Sequence, residues 1–154
     1  MTTKQRTIVV SRAESGQSVA GLIHRHLSLS WSVARRLVAD EHSQIADALW
    51  DLTEQADLVL TTGGTGFAPR DVTPEATAEV VERPTPGLDE AMREVSRRAS
   101  PHGLLSRGRS GIVGRTLIVN FPGSPRACAE CFDAVAAALP HGVELLTERP
   151  TEHP

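Results

Sequence analysis

Short apolar runs alternate along this chain with longer stretches whose apolar residues recur every three or four positions. Thr7-Ile8-Val9-Val10 and Leu58-Val59-Leu60 are too brief for helices and carry β-branched residues, which predicts buried strands over Thr7–Val10 and Asp57–Thr61. Trp31-Ser32-Val33 and Leu37-Val38 bracket another strand, polar at Arg35-Arg36. Val19, Leu22, Ile23 and Leu27 give Gln17–Leu27 a helical spacing, and Ile45, Ala48, Leu49 and Leu52 do the same for Ser43–Ala56. Thr73–Val81 reads as a short helix, broken at Arg83-Pro84-Thr85-Pro86-Gly87. Leu88, Ala91, Met92, Val95 and Ala99 line the next helical face, and His102–Ser110 reads as a loop. Gly111-Ile112-Val113 and Thr116-Leu117-Ile118-Val119 flank Gly114-Arg115, a two-residue hairpin signal. The last helix turns Cys128, Cys131, Phe132, Val135 and Leu139 inward, and the polar tail Thr147–Pro154 is expected to fray.

Strands alternating with helices predict an α/β fold of three layers: a mostly parallel sheet with helices on both faces. The hairpin implies one antiparallel edge strand. No internal repeat and no linker interrupts the chain, so residues 1–154 read as one domain. Ligands in such folds bind beyond the carboxyl ends of the strands.

Two loops leave strands and enter helices, and both should open on that edge. The first is Thr61-Thr62-Gly63-Gly64-Thr65-Gly66, where three glycines in four positions turn the backbone sharply and expose its N–H groups. Thr73 as N-cap, Pro74 at the first helical position and Glu75 near the positive helix end then start a helix. The second is Asn120-Phe121-Pro122-Gly123-Ser124-Pro125, with Ser124 as cap. Strand, glycine loop and helix start together describe an anion-binding crevice. The loop lacks the lysine of a Walker A sequence and does not match GxGxxG.

Composition narrows the function classes. A net charge of −3 does not favour nucleic acid, and 3% aromatics with no Tyr removes the stacking platforms of single-strand binders. No apolar run approaches the roughly 20 residues of a membrane span. The N-terminus has no signal-peptide shape, and two Cys suit a reducing cytoplasm.

Asp71 is the candidate metal ligand, since magnesium takes one or two carboxylates plus substrate phosphates and water; the plainer reading is that it helps cap the following helix. Asp40 and Glu41 follow the second strand on the ligand edge, or are solvated loop acids. Ser106-Arg107-Gly108-Arg109 offers hydroxyl and guanidinium donors to an anion. The six His have no zinc-ligand spacing and read as surface residues. Cys128-Ala129-Glu130-Cys131 is a single CxxC whose cysteines share the apolar face with Phe132 and Val135, so core packing is preferred over redox or zinc chemistry. No GxSxG and no Ser-His-Asp assignment supports a hydrolase.

DLVLTTGGTGFAPRDVTPEAT from Asp57, PGLDEAMRE at Pro86–Glu94, LLSRG at Leu104–Gly108 and GRTLIVNFPGSP at Gly114–Pro125 closely resemble the MoaB/Mog family of molybdenum-cofactor biosynthesis. That family includes the bacterial molybdopterin adenylyltransferases and the matching domains of gephyrin. The resemblance covers nearly the whole chain, from about Thr7 to Leu146. It implies transfer of AMP from Mg-ATP to the terminal phosphate of molybdopterin, with release of pyrophosphate. The alternative is a MoaB-like protein that binds molybdopterin or a nucleotide without transfer. It also implies a homotrimer or, as in some MoaB proteins, a hexamer. By motif match, Thr62, Gly63, Gly64, Thr65 and Gly66 would cradle phosphate. Asp71 and Asp40 match the family's catalytic, magnesium-binding aspartates. Ser106, Gly123 and Ser124 match residues near the pterin pocket. The segment Ser11–Ser18 is shorter than the family's and lacks its aspartate, and Ala39 replaces a proline.

Overall fold

The computed structural model describes residues 5–11, 21 and 31–148. The expected helix over 17–27, apart from Gly21, and the tail beyond 148 lie outside the described residues. One six-stranded sheet is built from β1 Gln5–Ser11, β2 Trp31–Leu37, β3 Leu58–Thr62, β4 Arg83–Pro84, β5 Ser110–Val113 and β6 Thr116–Phe121. The strand order is β2-β1-β3-β6-β5-β4. β1 pairs in parallel with β2 and β3, and β3 pairs in parallel with β6. β5 runs against β6 and β4 against β5.

The reversed strand is therefore β5, joined to β6 through Gly114 at φ 57° and Arg115. It is not outermost, because the two-residue β4 lies beyond it. Pro84 sits on that outer strand, where a missing N–H breaks no ladder.

Five helices are described: α1 His42–Thr53, α2 Thr73–Val80, α3 Pro86–Ala99, α4 Pro125–Val135 and α5 Leu139–Thr147. The period of two along the central strands divides the core between the two faces of the sheet. Leu58 and Leu60 of β3 and Leu117, Val119 and Phe121 of β6 pack with Met92 of α3, Phe132 of α4 and Val143 of α5. Val59 and Ile118 point the other way, onto Ile45, Leu49 and Leu52 of α1 and Ala76 and Val80 of α2. All five residues of β3 are buried, as expected of a parallel strand covered on both sides. The rings of Phe121 and Phe132 lie 5.8 Å apart and tilted by 41°.

Three local features differ from the pattern-based expectation. The C-terminal apolar stripe is divided between α4 and α5, because Pro140 can sit in a first turn but not in a helix interior. The first half of the expected loop over His102–Ser110 is a 3₁₀ turn, Pro101–Leu105, capped by Ser100 Oγ accepting the His102 N–H at 3.2 Å. Helix α1 stops at Thr53; Glu54 N–H turns to Asp51 O (3.3 Å) and Gln55 N–H to Leu52 O (3.0 Å), tightening the last turn.

Candidate active site

β3 and β6 are parallel neighbours with Thr62 opposite Phe121, so the loops that follow them leave the sheet side by side. Gly63 and Gly64 have φ of 86° and 69°, in the left-handed region that favours glycine. The Gly63 N–H donates to Phe121 O at 3.0 Å, and the Thr73 N–H donates to Gly64 O at 3.2 Å. A Cβ on Gly64 would stand 2.3 Å from Thr73 Oγ1, and one on Gly123 would stand 3.1 Å from Gly63 Cα. The two loops thus approach closely through the backbones of Gly63 and Gly123, while Gly64 packs against Thr73.

They open into a cavity of about 940 Å³, at the upper end of the range for small-molecule sites. Gly63, Gly64, Thr65 and Gly66 form one wall with Asp71 and Ser106. Ser96 from the C-terminal half of α3, Ser100 just beyond that helix, and His102 and Leu105 of the 3₁₀ turn form another. Pro122 to Ala127 and Glu130 complete the lining. The N-terminal turn of α4 therefore faces the same space as the glycine loop. Ser124 caps α4, its Oγ accepting the Ala127 N–H at 3.4 Å, as its position before Pro125 predicts.

Asp71 lies where the sequence motif places it, but it does not cap α2. Its Oδ2 accepts the Ala68 N–H at 3.0 Å, and its own N–H donates to Ala68 O at 2.9 Å, closing a tight turn. A Cβ on Gly66 would come within 2.9 Å of that carboxylate oxygen, so Gly66 and Asp71 are packed together. The N-cap of α2 is Val72, whose carbonyl accepts the Ala76 N–H at 3.1 Å, and Thr73 is the first helical residue, its N–H donating out of the helix to Gly64 O. This corrects the expectation that Thr73 is the cap; its hydroxyl instead lies against Gly64.

Arg107 is not an open anion donor. Its Nε donates to Gly66 O at 2.8 Å, its Nη2 to Asp71 O at 2.6 Å, and its Nη1 to the Glu75 carboxylate. Its backbone N–H reaches Thr65 O at 2.9 Å. The hydrogen bond from Arg107 holds the Glu75 carboxyl below its usual range, with small help from the charges of Arg107 and Arg109.

Of the residues matched to the family, Gly63, Gly64, Thr65, Gly66, Asp71, Ser106, Gly123 and Ser124 line the cavity together. Thr62 ends β3 in a buried position beneath the loop, outside the lining. Asp40 follows β2 at the same end of the sheet but beyond β1, and it does not line the cavity either. The departing segment after Ser11 lies outside the described residues. Cys128 and Cys131 are fully buried in the α4 core contact, and burial pushes the Cys128 thiol up to about 12. Among the described residues, no three His, Cys, Asp or Glu gather as a metal site.

Pattern reading misses two contributions. One is the α3 and 3₁₀ wall, since nothing in a helical period says what its polar face looks onto. The other is Asn120, 2% exposed at the end of β6. Its Nδ2 donates to Thr61 Oγ1 at 2.9 Å and Thr77 Oγ1 at 3.0 Å, while its Oδ1 accepts the Arg109 N–H at 3.1 Å. The available signal is a lone amide closing the apolar run Leu117-Ile118-Val119.

A family described as "Probable molybdopterin binding domain" matches residues 12–141. The molybdopterin adenylyltransferase of Helicobacter pylori is 40% identical over 134 residues, 86% of this chain and 76% of its own length. The molybdenum cofactor synthesis protein cinnamon of Drosophila melanogaster is 47% identical over 116 residues, 74% of this chain but only 19% of that longer protein. The crystal structure of the molybdopterin biosynthesis enzyme MoaB from Thermus thermophilus superposes with a TM-score of 0.82 at 40% identity, covering 96% of this chain and 99% of that one. Fold, loops and sequence agree, and the chain belongs to the MoaB/Mog family of molybdopterin-binding domains.

Proposed function

We propose that this chain is a molybdopterin adenylyltransferase acting in molybdenum cofactor biosynthesis. It joins AMP from Mg-ATP to the terminal phosphate of molybdopterin and releases pyrophosphate. The observation that carries this reading is the shared cavity in which the glycine loop, the Asp71 wall and the start of α4 face one another. Two anionic groups brought together need such an arrangement of donors.

The chemistry asks little of a general base. The attacking oxygen belongs to a phosphate monoester, already anionic near neutral pH. It forms a bond to the α-phosphorus of ATP while the bond from that phosphorus to the bridging oxygen breaks, and the electron pair leaves with pyrophosphate. The protein's part is to hold both substrates in line and to offset their charge. Loop amides other than that of Gly63, together with the first turn of α4, line the cavity and favour phosphate oxygens. Ser106 and Ser124 offer hydroxyl groups on the same walls, toward the pterin-bearing substrate.

Asp71 supplies one carboxylate beside those amides. That donor set fits a magnesium ion carried in on ATP and held largely by phosphate oxygens and water, rather than one bound in a protein cage. When bound, the ion neutralises charge on the phosphates. Asp40 lies beyond the lining and would reach such an ion only through water.

The test is an assay of the purified protein with ATP, Mg²⁺ and molybdopterin. Pyrophosphate release is expected from the wild type. Asp71→Ala is expected to abolish it while leaving molybdopterin binding largely intact; near-normal turnover by that variant removes Asp71 from the reaction. The placement of Asp40 outside the cavity favours a second reading, binding without transfer, and that protein would bind molybdopterin yet release no pyrophosphate.

A further inference from the structure

Arg107 adjoins Ser106 in sequence, yet the two residues serve opposite sides of the glycine loop. Ser106 lines the large cavity; Arg107 does not, and lines instead a smaller cavity of about 570 Å³ with Glu75, Arg93 and Arg109. From behind the loop, the Arg107 guanidinium joins Gly66 O (2.8 Å), Asp71 O (2.6 Å) and the Glu75 carboxylate, and its N–H joins Thr65 O (2.9 Å). Three of these partners lie in the segment that carries the phosphate-facing amides and the Asp71 carboxylate, and the fourth lies in the first turn of α2. The segment bearing Arg107 is itself fixed: Arg93 Nη1 donates to Gly108 O at 2.9 Å, and Asn120 brackets Arg109 through its Oδ1 (3.1 Å) and its N–H (2.9 Å).

We propose that Arg107 is a positioning residue for adenylyl transfer, fixing the Asp71 carboxylate against the Gly66 peptide and so holding it beside the amides of the glycine loop. The proposal rests on the adenylyltransferase reading for its catalytic consequence, but its structural premise is testable alone. A planar fork with several fixed donors can meet two carbonyls and a carboxylate at once, whereas a lysine ammonium concentrates its donors at one point. Lysine should therefore keep the charge and lose the geometry. Misplacement of a reacting group by about 1 Å costs on the order of 100-fold in rate.

The experiment compares wild type, Arg107→Lys and Arg107→Ala by hydrogen exchange and by pyrophosphate release. The informative amides are Ala68, which donates to Asp71 Oδ2, and Asp71, which donates to Ala68 O; Gly63, which donates to Phe121 O, is the internal control. In both variants Ala68 and Asp71 are expected to exchange about tenfold faster, the effect of one lost hydrogen bond, with Gly63 unchanged. In both, kcat is expected to fall about 100-fold, with a smaller change in KM for molybdopterin. If Arg107→Ala does not fold, Arg107→Lys carries the comparison. Unchanged exchange at residues 68 and 71 overturns the proposal, as does an even rise across the sheet, which would mark a role in global stability only. Local loosening with kcat within about threefold of wild type also overturns it, because the geometry would then not matter to transfer. A wild type that releases no pyrophosphate refutes the adenylyltransferase reading, and with it the catalytic half of this proposal.

Discussion

Asn120 joins three segments that are far apart in sequence: β3 through Thr61, α2 through Thr77, and the 106–110 segment through Arg109. All of this takes place in a buried position, where an amide must satisfy both its donors and its acceptor. Asn120→Ala leaves the Arg109 N–H without its acceptor and two hydroxyl groups without their donor. The expected cost is roughly 2–4 kcal/mol, read as a lower urea midpoint with an unchanged slope. At this scale the sequence is informative about glycines and much less so about long side chains. Gly63, Gly64 and Gly66 stand out because turns need them, and Asp71 because of its motif. Arg107 is visible as a cation, but its direction depends on Gly66 and Glu75, which only the folded chain brings within reach. The same limit explains Thr73: its residue type suits a cap, yet the helix starts one residue earlier, with Val72 O accepting the Ala76 N–H and the Thr73 N–H tied to Gly64 O.

At the scale of elements, α4 shows how one helix serves both core and site. Its N-terminal turn lines the cavity at Pro125, Arg126 and Ala127, while Cys128, Cys131, Phe132 and Val135 are buried against the sheet. The thiols belong to the second group. The Cys128 thiol is pushed up to about 12, first by burial and then by its neighbour Cys131; burial also raises Cys131, against a 3.3 Å contact with Ser96 Oγ that lowers it. Thiolate is the reactive form. Iodoacetamide at pH 8 is therefore expected to label neither cysteine in the native protein and both after denaturation, with mass spectrometry as the readout. The CxxC pattern alone allows redox chemistry; the spacing with Phe132 and Val135 correctly places it in the core. Element type is legible here wherever the period is strong, as in β3, β6 and α4. The 3₁₀ turn is not, because Gly103 sits there for tertiary reasons: a Cβ would lie 2.3 Å from the backbone carbon of Ser96.

At the scale of the whole molecule, the layers follow from alternation along β3 and β6, which is readable from the chain. The outer margin of the sheet is not: β4 is two residues long and contains a proline, too little pattern to register as a strand. Adjacency of the two special loops follows from topology and is realised through Gly63 and Gly123. Among the described residues no helix is long and apolar enough to cross a membrane. Among the described residues several large apolar side chains are exposed, Leu37 at 70%, Phe67 at 66%, Leu104 at 65% and Leu145 at 63%. The homotrimer proposed from the family resemblance predicts a sedimentation-equilibrium mass three times the 16.5 kDa of the chain. A mass of one chain at micromolar concentration would reject that assembly, and six would favour the hexamer.

The strand that enters the sheet last in chain order, β6, occupies its middle, between β3 and the returning β5. Half of the rim of the candidate site hangs from its end. Synthesis must therefore pass β6 and the first turn of α4 before that rim is whole, and shorter nascent chains lack half of it. A ligand held on that rim would therefore resist unfolding of the centre of the sheet rather than of its margins.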